Sequence, residues 1–196
     1  MNEKAYEAVD LYLESLLAGK PPEWEQLPDI GLYMDQVTSY LERQLGPFSP
    51  SEKERAITSS MINNYVKAKI IPRAKSKKYS QEHIALLLSV FMLKKALSIQ
   101  DMGVLLADAS SEGSYREFYD RFRKALTECA ISTAQEIRTG LEPGSAESTA
   151  RFEASAIDDA KLRTLALKLA VEASLRSLAA ERLLALLQTE EPLKAR

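Results

Sequence analysis

At 196 residues, 45% hydrophobic and 28% charged, the chain has the composition of an ordinary globular protein with room for one sizeable core. A single cysteine excludes an intramolecular disulfide, and one cysteine with one histidine excludes a conventional zinc site. The formal net charge of −2 excludes a protein that coats nucleic acid with its whole surface.

Tyr6, Val9, Leu13, Leu16 and Leu17 fall at three- and four-residue steps and predict a helix that ends at Gly19. Acidic residues inside this apolar pattern rule out a signal peptide. Residues 20–28, with Pro21-Pro22 and Pro28, read as a linker or an extended strap that Trp24 pins to the body. Asp29 is a suitable cap for a helix over 29–45, with Ile30, Tyr33, Met34, Val37, Leu41 and Leu45 as its buried stripe and Gly46-Pro47 as its stop. Ser51 and Glu54 fit a capping box for a short helix, and a further helix begins near 58–60 and runs to about 69. Past a basic loop, Ser80 caps a helix that buries Ile84, Leu87, Leu88, Phe91 and Met92. A second box, Ser98 with Asp101, starts one that buries Ile99, Met102, Leu105 and Leu106.

"ASSEGSYR" marks a boundary. Beyond it Tyr115, Phe118, Phe122, Leu126 and Cys129 form the stripe of a helix that continues to Ile137, with Cys129 as a small core residue. After "TGLEPGS" a long helix over 147–188 is rich in leucine and alanine nearly all round. Such a helix is buried from several sides or packs on a copy of itself. The longest apolar run, 84–93, is too short to span a bilayer, and the chain reads as cytoplasmic.

The charge is unevenly placed. Between positions 55 and 81 there is no acid, while Arg55, Lys67, Lys69, Arg73, Lys75, Lys77 and Lys78 supply seven positive charges. The rest of the chain sets 19 basic residues against 28 acidic ones. Such asymmetry is the footprint of a localised anionic partner, or of a solvated loop with chance clustering. On a helix over 60–69, Met61, Ile62, Tyr65 and Val66 share one face and Ser60, Asn63, Asn64 and Lys67 the other. Asparagine pairs with adenine in the major groove, and lysine suits guanine or phosphate. Arg73, Lys75, Lys77 and Lys78, beside the hydroxyl of Tyr79, are of the types that hold phosphates.

Residues 58–106 resemble the DNA-binding half of the MerR family of transcriptional regulators. The resemblance rests on Ile70-Ile71-Pro72 after the recognition helix, Tyr79-Ser80 after the wing, Leu97-Ser98-Ile99 at a corner and the pair Leu105-Leu106. It implies an all-α fold with a winged helix-turn-helix core and a short β wing, and DNA contacts at Asn63, Lys67, Lys77 and Tyr79. The family's arginine-tyrosine pair is replaced by Asn63-Asn64, and its wing tyrosine-arginine by Ser76-Lys77. Lys75 stands near the place of its wing glycine, and about a dozen extra residues, 45–57, separate the first two helices. The order "LPDIGLYMDQVTSYLERQL", "MINNYVKAKIIP" and "KKYSQEHI" also resembles, more specifically, an uncharacterised bacterial family classed as a domain of unknown function, over about residues 25–110.

The domain reading is an N-terminal helix and linker over 1–24, a winged helix-turn-helix domain over 25–107, and a helical region over 108–196 for dimerisation or an effector. The functional expectation is a sequence-specific regulator of transcription, homodimeric on double-stranded DNA, with Ser60, Asn63, Asn64, Lys67, Arg73, Lys75, Lys77, Lys78 and Tyr79 at the interface. Two alternatives stay open. One is a protein-interaction module that keeps the fold without binding DNA. The other is a ligand sensor whose small-molecule effector sits beside the aromatic helix over 115–129. No cofactor, metal or catalytic group is indicated, His83 reads as a surface or capping-region residue, and seven glycines are few for a nucleotide enzyme.

Overall fold

The computed structural model describes residues 3–48, 56–111, 115–141 and 159–189. They form seven α-helices: α1 (Glu3–Ala18), α2 (Met34–Leu45), α3 (Ser59–Lys67), α4 (Gln81–Leu93), α5 (Ile99–Ser111), α6 (Tyr115–Leu141) and α7 (Asp159–Thr189). Single 3-10 turns cover Trp24–Gln26 and Gly46–Phe48. The fold is all-α. Among the described residues there is no strand, only two isolated antiparallel bridges, Leu32 with Tyr79 and Lys75 with Lys78. The expected β wing is thus reduced to single bridges, and the Ser51–Glu54 box and the 147–158 portion of the last helix lie outside the described residues.

Every residue from His83 to Phe91 is buried, so α4 is surrounded on all sides. Its aliphatic side chains hold the main core, which gathers Val37 and Leu41 of α2, Ile62 and Tyr65 of α3, Met102 and Leu106 of α5, Phe118 and Tyr119 of α6 and Leu184 of α7. Each such fully buried side chain is worth about 1.5–3 kcal/mol of transfer free energy. This core continues across residue 107. A smaller cluster joins Leu13 of α1 to Ala134, Ile137 and Leu141 of α6, with Leu162, Leu165 and Leu169 of α7 packed against it.

Residues 20–28 do act as a strap. Trp24 meets Tyr119 edge-on at 6.2 Å, and the carbonyls of Trp24, Pro22 and Pro21 accept from Gln81 (2.7 Å), the Tyr119 hydroxyl (3.0 Å) and Arg123 (3.1 Å). Glu25 and Glu23 pair with Arg116 and Arg123 on the same side. The carbonyls of Pro21 and Pro22, outside any helix, are thereby matched to donors of α6, and that of Trp24, which also accepts from the Leu27 amide, to a donor of α4.

Local pattern misleads at four places. α2 starts at Met34, not Asp29, and Ile30 and Tyr33 are exposed at 68% and 50%. Leu32 is drawn into a bridge with Tyr79, which keeps 29–33 out of the helix, and Gln36 Oε1 accepts from the Tyr33 amide at 2.9 Å to open the helix. Ile99 occupies the first turn of α5 and is exposed. Cys129 is exposed as well. A 3.6-residue step from buried Tyr119 reaches Ala130 rather than Cys129, then Ala134, Ile137 and Leu141, and over the 27 residues of α6 that drift decides which side chains face inward. The fourth is α7, leucine-rich all round and yet bare on one side. Leu167, Val171, Leu175, Leu178 and Leu186 share an outward stripe, with Leu183 and Leu187 exposed near its end. Two apolar faces account for the uniform composition, one covering the chain's own core and one uncovered.

Candidate nucleic-acid interface

Thr58 opens α3, its hydroxyl accepting from the Met61 amide at 3.3 Å. Ile62, fully buried, and Tyr65, edge-on to Phe91 at 5.6 Å, fix the rotation of the helix. Ser60, Asn63, Asn64 and Lys67 are then all exposed, at spacings that place them on one face.

The helix ends in a Schellman motif. The Ile70 amide donates to the Tyr65 carbonyl (3.0 Å) and the Lys69 amide to that of Val66 (3.1 Å). Lys69 occupies the left-handed position of this motif, with φ 61°, where glycine is the usual residue. Beyond Pro72, the Lys78 amide donates to the Lys75 carbonyl at 2.9 Å across a two-residue turn. Both central residues, Ser76 (φ 51°) and Lys77 (φ 63°), are left-handed, as a type I′ turn requires. These are the three non-glycine residues of positive φ in the described chain, and all fall within 69–77.

The loop is held from behind. Leu32 and Tyr79 exchange both backbone hydrogen bonds, at 2.9 and 2.8 Å. Lys78 lies over the Tyr33 ring at 5.4 Å, and its Cβ would stand 3.0 Å from a Cβ added to Gly31, a close approach that glycine permits. Arg73, Lys75, Lys77 and Lys78 are exposed. None of these four, nor Lys67 or Lys69, has an acidic partner among the described residues.

Tyr79 is the exception among the nine expected contacts. It is 5% exposed, its ring edge-on to His83 at 5.5 Å, and burial raises its hydroxyl pKa. Its ring belongs to the core beneath the loop. His83 is likewise buried rather than on the surface, although its capping role holds: Nδ1 accepts from the Ser80 amide at 3.1 Å and lies 2.7 Å from the Ser80 hydroxyl. Its Nε2 is buried without a hydrogen-bond partner. Burial lowers the imidazole pKa, the Arg73 and Pro72 backbone and the Glu82 charge oppose this, and Lys75 adds to it.

Lys69 was not singled out by helical phase, because the apolar pattern carries α3 past its true end; the absence of glycine at 68–70 hid the left-handed cap. Among the described residues, no group of three or more His, Cys, Asp and Glu side chains could hold a metal, and no helix is long and apolar enough to cross a membrane.

Residues 22–122 match the family model described as Domain of unknown function (DUF1836). The match covers the strap from Pro22 on, α2 to α5 and the first turns of α6. The chain belongs to that family. No curated protein and no solved structure matches it.

Proposed function

We propose that the chain is a sequence-specific DNA-binding transcriptional regulator that acts as a homodimer. In this reading α2 and α3 are a helix-turn-helix pair, α3 enters the major groove, and residues 72–79 are a wing along the backbone. The observation that carries it is the concentration of left-handed, non-glycine residues at Lys69, Ser76 and Lys77. Two of the three are cations, in places where glycine would relieve the backbone. Local strain of this kind is retained where function needs the side chain.

Ser60, Asn63, Asn64 and Lys67 supply an acid-free face of groups that read base edges. Arg73, Lys75, Lys77 and Lys78 supply phosphate contacts, with the ring of Tyr79 packed beneath them. The uncovered face of α7 supplies a two-fold partner surface, since a module reading one half-site gains affinity by pairing. The same exposed face favours the second reading, a protein-interaction module with this fold.

The test is binding to duplex DNA across a salt series. With four to six phosphates neutralised per subunit, log K for the dimer falls against log salt with a slope of about −7 to −11. Lys67→Glu/Lys77→Glu, both at exposed positions, abolishes binding. No affinity in low salt, or full affinity in the double variant, overturns the reading.

A further inference from the structure

Behind the C-terminal turn of α3 lies a cavity of about 430 Å³, within the size range of small-molecule sites. Its lining includes the buried side chains Ile71, Leu86 and Leu106, and among the described residues Lys67, Lys69 and Arg73 stand around it without an acidic residue. An apolar floor beneath three cations that have no acidic partner among the described residues matches an anionic head on an apolar body.

Gly103 adds an independent observation. It lines the same cavity from the first half of α5. Glycine is the poorest helix former after proline, so an internal one normally answers a need for positive φ or a close contact. Gly103 has neither: its φ lies outside the left-handed range, and a Cβ built there meets nothing within 4 Å. What its missing side chain leaves is open space on the cavity side.

We propose that this cavity binds a small organic anion, a carboxylate, sulfonate or phosphate monoester on an apolar body, and that Gly103 keeps room for it. Lys67 belongs both to the cavity and to the outward face of α3. An anion bound there draws one cation away from that face and weakens DNA binding. This last coupling rests on the DNA reading; the binding site itself does not.

The probe is 8-anilinonaphthalene-1-sulfonate, titrated by fluorescence into the full chain without DNA. Wild type saturates, and the uncharged N-phenyl-1-naphthylamine binds at least tenfold more weakly. Gly103→Leu puts a better helix former into the cavity and weakens the sulfonate at least tenfold without lowering the melting temperature. Probe held on the exposed face of α7 is insensitive to Gly103→Leu, so equal binding in wild type and variant overturns the proposal. If that variant fails to fold, the exposed pair Lys69→Glu/Arg73→Glu decides: a tenfold loss supports the site, and unchanged affinity removes it. A chain that binds the sulfonate and no DNA keeps the site and loses the regulator reading.

Discussion

Lys69 illustrates how one residue can serve two demands at odds. In the left-handed cap of α3, with φ 61°, a side chain costs about 1–2 kcal/mol, while glycine would return about 0.5–1 kcal/mol as unfolded-state entropy. Lys69→Gly should therefore raise stability by about 0.5–1 kcal/mol, a few degrees in melting temperature, while weakening DNA affinity. A variant that melts lower than wild type would show that the lysine side chain makes a stabilising contact. His83 gives a pH dependence. The folded protein disfavours its charged form, whereas the unfolded chain titrates near 6.5, so below that pH the unfolded state binds more protons. Stability is whole above pH 6.5 and falls as pH drops toward the lowered folded pKa. Glu25 and Glu136, lowered from 4.5, titrate below this window. Urea midpoints should fall between about pH 7.5 and about pH 5.5, and His83→Gln should flatten that change. An equal drop in the variant would assign the effect elsewhere.

Among the elements, those whose neighbours are local were legible in the chain. α3 and α4 follow from their apolar phase and from Thr58 and Ser80 at their starts. The outward set Ser60, Asn63, Asn64 and Lys67 follows from the same phase, because Ile62 and Tyr65 leave no other rotation. The true start of α2 was hidden, since it depends on Leu32 pairing with Tyr79, 47 positions away in sequence. The burial of Tyr79 and His83 was hidden for the same reason: a tyrosine and a histidine beside four basic residues read as surface until Leu32 pairs with Tyr79. α7 was half legible, as its composition shows apolar residues everywhere but not which face the chain itself covers. Seven aliphatic residues of α7 are exposed, five of them along one stripe. A second copy of the chain is the cover that the dimer reading requires. Sedimentation should show a dimer for wild type and a folded monomer for Val171→Glu/Leu178→Glu. A wild type that stays monomeric at high concentration would remove the dimer.

At the scale of the whole molecule, three features meet around α4. The strap over 20–28 ties α6 to the start of α4 through Gln81, the basic loop enters α4 through Tyr79 and Ser80, and α3 packs on it through Tyr65 and Phe91. The charged loop and the polar helix face are therefore carried on one rigid hub, which suits the reading of a stiff duplex. The family match spans this hub and stops inside α6, so the uncovered part of α7 lies outside the shared region. A two-fold pair of such hubs predicts two copies of one short sequence, inverted and about a helical turn or a multiple of it apart. The most direct measurement is selection of bound fragments from mixed genomic DNA by wild type and by Asn63→Ala/Asn64→Ala. Wild type should enrich an inverted repeat, and the double variant should keep salt-dependent binding while losing the motif. Enrichment of no motif by wild type would contradict the account.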